Sequence, residues 1–85
     1  MQVLIPAALH AYTGGSPVQA EGATLDAMFD DLERRYPGLR FRVVDELGRL
    51  RPNMRIFVGG RGVRDLAHAL RPDDRVAVVL ALSGG

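Results

Sequence analysis

The sequence predicts an α+β fold, with one main helix packed on one face of a mixed sheet of four or five strands, and three observations lead to it. One stretch repeats apolar residues at the helical period: Leu25, Met28, Phe29, Leu32 and Tyr36. Two others read as strands, the alternating Met54-Arg55-Ile56-Phe57-Val58 and the continuous apolar run Val76-Ala77-Val78-Val79-Leu80-Ala81-Leu82, rich in β-branched residues. Turn residues then divide the chain into the order strand, strand, helix, long connection, strand, short strand, turn-like helix, strand. A single helix covers only one face of such a sheet, so the other is left open as a docking surface.

Length and composition narrow the function. Eighty-five residues bound the chain to one small domain with a single modest core, too small to enclose a cofactor cleft and a catalytic apparatus as well. Hydrophobic residues at 47%, charged residues at 25% and a net charge of +1 are the balance of a globular domain in water. They argue against nucleic-acid and membrane partners. No apolar run is long enough to span a bilayer, and Met1-Gln2-Val3-Leu4-Ile5-Pro6 lacks a charged secretory leader, so a cytoplasmic location is expected. The absence of cysteine removes disulfides, thiolate metal sites and thiol nucleophiles from consideration.

Taken in order, residues 2–9 read as a strand with Val3 and Ile5 on one face and Pro6 limiting its pairing. Tyr12-Thr13-Gly14-Gly15-Ser16-Pro17 is turn chemistry, and Val18-Gln19-Ala20-Glu21 returns as a short strand to complete a hairpin. Gly14-Gly15 lacks the spacing and lysine of a phosphate-binding loop. Thr24 is placed to cap the main helix, with Asp26 in its first turn and Pro37-Gly38 as its stop. Asp30 with Arg34 and Asp31 with Arg35 are spaced for surface pairs, and the acidic run Asp30, Asp31, Glu33 reads as a solvated face rather than a metal site.

Between residues 39 and 53 the signal is mixed, with room for a second short helix or turn. Arginines 40, 42, 49, 51 and 55 make a basic stretch in which no interleaved exposed aromatics are expected, which suits solvation or an acidic partner better than nucleic acid. In the strand 54–58, Met54, Ile56 and Val58 share one face, and Phe57 points to the other. Gly59-Gly60-Arg61-Gly62 supplies a tight reversal, residues 65–70 a turn-like helical segment with Leu66 and Leu70 inward, and Arg71-Pro72-Asp73-Asp74 the turn into the last strand. If Val76, Val78 and Leu80 face the helix, Ala77, Val79 and Ala81 share the open side with Phe57. His10 and His68 have no carboxylate, serine or second histidine at a motif spacing, so both read as surface or capping residues and no catalytic residue is expected.

The stretch around which the chain is organised is Ser83-Gly84-Gly85. A glycine pair straight after a core strand, with no turn to make, is either a frayed end or a slim probe that can thread a narrow enzyme channel and present a carboxylate. All 11 basic side chains are arginine. That is either a compositional bias or a limit on self-ligation by a chain whose own end becomes an acyl group.

The order of Val3-Leu4-Ile5-Pro6, Thr13-Gly14-Gly15, Tyr36-Pro37-Gly38, Asp45-Glu46-Leu47-Gly48-Arg49-Leu50-Arg51, Ile56-Phe57-Val58, Asp73-Asp74-Arg75-Val76 and Gly84-Gly85 resembles the ubiquitin-like β-grasp sulfur carriers of the MoaD/ThiS type, with a long connection similar to the MoaD/CysO-like branch. The chain departs from that family's usual asparagine-led turn at Gly59-Gly60. The resemblance implies a β-grasp body over residues 1–82 and a flexible tail over 83–85, monomeric when free and without a bound cofactor or metal. It implies that an E1-like activating enzyme of the MoeB/ThiF type uses ATP and magnesium to adenylate Gly85, and that a sulfur donor converts the adenylate to a thiocarboxylate. Sulfur would then pass to a downstream enzyme making cysteine, molybdopterin or a thiolated metabolite. Ser83 and Gly84 would lead the tail, and Phe57, Val79 and Ala81 would dock the partners. Two alternatives carry different chemistry: a protein modifier conjugated through Gly85, and a non-covalent binding module.

Overall fold

A computed structural model of the chain describes residues 1–81. Its first strand, β1 (Gln2–Leu4), is shorter than the expected 2–9. Pro6 offers no N–H to a ladder, and Ala7-Ala8 have no β-branched side chain to favour extension, so the chain turns into a 3₁₀ segment (Ala7–Leu9) and then α1 (His10–Thr13). β2 (Val18–Gln19) returns antiparallel to β1 with Gln2 opposite Gln19 and Val3 opposite Val18. The expected hairpin therefore forms, but around a helical excursion rather than a tight turn. The Ser16 hydroxyl closes it by accepting from the Ile5 N–H at 2.9 Å.

The main helix, α2 (Leu25–Arg35), begins where predicted: Thr24 is extended and its Oγ1 accepts from the Ala27 N–H at 3.1 Å. Its first two N–H groups donate to the carbonyls of His68 and Leu66 at 3.1 and 2.9 Å. These are donors that no helix satisfies internally. Residues 65–70 keep to a turn, with the His68 N–H donating to the Asp65 carbonyl at 3.0 Å, in keeping with the turn-like segment expected, and do not extend into helix because the Leu66 and His68 carbonyls are committed to α2. Leu66 and Leu70 are nevertheless buried, as predicted. Gly22 lets the loop lie directly on α2, because a Cβ there would stand 2.4 Å from the Met28 nitrogen. After Pro37-Gly38, a second short helix, α3 (Leu39–Val43), occupies part of the mixed connection.

The sheet is completed by β3 (Met54–Val58), β4 (Arg61–Val63) and β5 (Arg75–Leu80), in the order β2-β1-β5-β3-β4. β1 and β5 run parallel and the other pairs antiparallel. The reversal between β3 and β4 needs only Gly59 and Gly60, both at positive φ (+56° and +85°), so Arg61 and Gly62 already belong to β4. That is the backbone of a two-residue hairpin turn, which glycine adopts without the strain a Cβ imposes. Leu25, Met28, Phe29 and Leu32 of α2 are fully buried in one cluster with Val3, Ile56, Val76 and Val78. Each such side chain contributes about 1.5–3 kcal/mol through removal from water. One helix on one face of a five-stranded mixed sheet is the β-grasp arrangement that the sequence predicted.

Candidate functional site

Alternation along the strands fixes what the uncovered face of the sheet presents. Val3, Ile56, Val76 and Val78 point into the core, so their neighbours Leu4, Arg55, Phe57, Arg75, Ala77 and Val79 point away from it. Register then sets Leu4, Ala77, Phe57 and Gly62 side by side across β1, β5, β3 and β4. The Phe57 ring lies over Gly62, where an added Cβ would meet it at 3.7 Å. Val79 stands one step further along β5, opposite Arg55 and diagonal to Phe57. Leu4 is 52% exposed, Val79 41% and Phe57 36%. Apolar side chains left this open on adjacent strands form a continuous surface, not isolated exposures.

Of the predicted docking residues, Phe57 and Val79 therefore share this face. Ala81 lies just beyond β5, half-buried, with its N–H donating to the Asn53 carbonyl at 2.8 Å. Ser83, Gly84 and Gly85 lie outside the described residues. Leu4 was missed. The signal was present, because placing Val3 and Ile5 inward leaves an apolar residue between them on the outward face.

Charged groups on the helix side are occupied with one another. Asp31 is buried, contrary to the expected solvated acidic face: its carboxylate accepts from the Glu21 N–H at 2.9 Å, from Arg34 at 3.1 Å and from Arg35 at 2.9 Å. The Glu21 N–H holds its pKa below the ordinary carboxylate value, burial opposes that, and the Arg35 and Arg34 guanidiniums add to the lowering. The predicted Asp31–Arg35 pair forms. Asp30, instead of meeting Arg34, lies 3.5 Å from Arg40, which also bonds Asp26 at 2.7 Å. Glu33 accepts from the N–H groups of Gly38 and Arg40, joining α2 to α3. Asp45 is held below its ordinary pKa by the Arg49 N–H first, with the Leu47 N–H adding to it. Arg42 donates to the Tyr12 hydroxyl at 2.6 Å. The basic stretch is thus divided, some of its arginines being tied into the fold. His10 Nε2 lies 2.9 Å from the Ile5 carbonyl, just past the end of β1.

An apolar face of this kind is suited to binding a partner. Among the described residues no group of three or more histidines, aspartates and glutamates could hold a metal ion, and no helix is long and apolar enough to cross a membrane.

Comparison with known proteins gives the face a context. The ThiS family matches residues 3–85. The sulfur carrier protein CysO of Mycobacterium tuberculosis is 38% identical over 89 residues, spanning 98% of this chain and 96% of its own length. A chain of the Amycolatopsis orientalis BexX/CysO complex superposes with a TM-score of 0.90 at 33% identity, over 99% of this chain and 98% of that one. Crystalline M. tuberculosis CysO gives a TM-score of 0.89 at 37% identity, over 95% and 98% of the two chains. The match over residues 3–85, together with near-full-length identity and the shared ubiquitin-like β-grasp architecture, shows that the chain belongs to the ThiS family.

Proposed function

We propose that this chain is a sulfur carrier whose reactive group is the carboxyl of Gly85 and whose open sheet face is the handle by which partner enzymes hold it. The observation that carries the reading is the continuity of that face with β5. This strand is bonded on both sides, by β1 and β3, carries Ala77 and Val79 on the open surface, and leads directly into the Ser83-Gly84-Gly85 sequence. Likeness to CysO sulfur carriers over almost the whole length supports it.

The chemistry follows from the weakness of a carboxylate as an acyl donor. In the active site of an E1-like enzyme with magnesium, a Gly85 carboxylate oxygen attacks the α-phosphorus of ATP and pyrophosphate leaves. A sulfur nucleophile of the hydrosulfide or persulfide class then attacks the acyl carbon, and AMP departs with the carboxylate oxygen. Hydrosulfide gives the thiocarboxylate directly; a persulfide first gives an acyl disulfide, which a thiol reductant cleaves to the thiocarboxylate. Adenylation supplies the leaving group and partner binding supplies orientation. This chain contributes neither acid nor base to the step. It delivers the acyl group on a stalk narrow enough for a channel: two glycines extend about 7 Å at most, so one residue more or fewer moves the carbon out of register.

Carrier-dependent exchange of pyrophosphate into ATP, measured with the activating enzyme of the same organism, tests the reading. Exchange with the intact chain and none after Gly85 deletion is expected; equal exchange by both would remove Gly85 from its role. Covalent ladders on denaturing gels would instead mark a protein modifier.

A further inference from the structure

The residues from Leu50 to Met54, from which the end of β5 is hung, hold a second feature. The Ala81 N–H donates to the Asn53 carbonyl at 2.8 Å, so the last described residue lies beside this segment. Arg55 and Arg64 reach its carbonyls, and Arg51, whose backbone belongs to it, turns its guanidinium to Phe41 of α3. Arg55 donates to the Pro52 and Met54 carbonyls at 2.6 and 2.9 Å, and Arg64 reaches those of Met54 and Leu50 at 3.3 and 3.4 Å. Arg51 donates to the Phe41 carbonyl at 2.7 Å and lies 4.5 Å over the centre of the Phe41 ring.

Each of the three is fixed by neutral carbonyls. Among the described residues none has a carboxylate within ion-pair distance, whereas Arg34, Arg35, Arg40 and Arg49 all do. The sequence reinforces this asymmetry, because every charged residue within the five strands is an arginine and every carboxylate lies in a helix or a connection. Guanidiniums held in place with no carboxylate in direct contact, Arg51 being felt by Asp45 only at longer range, remain available to an external anion, and little rotamer freedom is left to lose when it arrives.

Resting on the carrier reading, we propose that Arg51, Arg55 and Arg64 form a cationic collar at the tail exit that seats against carboxylates around the mouth of the activating enzyme's tail channel. The apolar face provides contact area. The collar sets register and encounter rate, since charges that meet within about 8–10 Å still interact at physiological salt.

The test is pyrophosphate exchange with the full chain and its cognate activating enzyme, with KM for the carrier measured across salt. Arg51→Gln and Arg55→Gln should each raise KM roughly two- to fivefold at low salt, leave kcat unchanged and flatten the salt dependence. Arg55→Lys should retain the wild-type salt slope. Arg71→Gln, at the opposite end of β5, should change nothing. A variant acting only through a displaced 50–54 segment would keep the wild-type salt slope and would not be rescued by lysine. Well-folded Gln variants with wild-type KM and salt slope would overturn the collar while leaving the carrier reading intact. A wild-type chain that supports no exchange would sink the carrier reading and the collar with it. Salt-sensitive self-association that Arg55→Gln abolishes, seen by light scattering, would reassign the surface to a second copy and so contradict the proposal.

Discussion

The helix side and the sheet side of this molecule are finished to different degrees. On the helix side, apolar residues of α2 are fully buried, and the carboxylates of Asp26, Asp30, Asp31 and Glu33 all have partners within the chain. On the open face of the sheet, Leu4, Phe57 and Val79 remain in water and Arg55 has no carboxylate beside it. Burying the second set would stabilise the fold as effectively as burying the first, so the sheet face is where stability has been forgone. Such a surface gains its energy only when something covers it. The contrast teaches that stability is concentrated on the helix face, and if the sheet face is the docking handle proposed above, substitutions will separate fold from function.

The sharpest break comes at Gly22. A methyl group there would stand 2.4 Å from the Met28 nitrogen and 2.8 Å from backbone carbon atoms, none of which can swing aside. Gly22→Ala should cost about 3–5 kcal/mol, in the range of the largest single-site effects, and be read as a fall in thermal midpoint with a proportionate loss of folded protein. A variant of wild-type stability would show that the loop is not held as described.

Asp31→Ala tests the same side by charge. It leaves the Glu21 N–H without its acceptor and should cost about 1.5–3 kcal/mol in denaturant unfolding. The sign with pH follows from the lowered pKa. Asp31 binds its proton less readily when folded than when unfolded, so its contribution is present in full above about pH 4–5 and is lost as pH falls through the depressed folded value. Asp31→Asn should therefore flatten the acid limb of the stability curve. An unchanged limb would contradict the assigned hydrogen bonds.

On the open face the effect should move from stability to binding. Phe57→Ala should raise KM for the activating enzyme roughly tenfold, about 1.4 kcal/mol, in keeping with a buried aromatic at an interface. Its unfolding free energy should change by less than about 1 kcal/mol because the ring is already part-exposed. The reverse, a large stability loss with wild-type KM, would make Phe57 a core residue. Smallest of all is the cap: Thr24→Ala should destabilise α2 by about 1 kcal/mol in equilibrium unfolding without affecting KM.

Much of this division was legible in the sequence, and what was not has particular causes. Period alone identified α2 and its apolar face, because Leu25, Met28, Phe29 and Leu32 repeat without interruption and Thr24 and Pro37-Gly38 mark both ends. Alternation placed Phe57 and Val79 on the open face. The same alternation, with Val3 and Ile5 inward, sets Leu4 on that face as well, although β1 ends sooner than residue 9 because Pro6 stops its pairing and Ala7-Ala8 turn helical. Asp31 was misread because helical spacing shows which residues share a face but not that a loop, here at Glu21, will come to cover it. At 65–70 the turn and the inward Leu66 and Leu70 were legible, but local propensity cannot anticipate that the Leu66 and His68 carbonyls serve another helix's first turn. The division of the arginines is a tertiary matter throughout. Spacing showed a basic stretch, and only the fold separates Arg40, which is paired with Asp26 and Asp30, from Arg55, which among the described residues has no carboxylate within ion-pair distance.

Whether the carboxyl of Gly85 is the reacting group is decided by the mass of the intact protein after incubation with the cognate activating enzyme, ATP, magnesium and sulfide. A gain of about 16 Da, the replacement of one carboxyl oxygen by sulfur through the acyl adenylate, is predicted for the full chain and not for a chain lacking Gly85. No gain in the full chain, or the same gain in both, would contradict it.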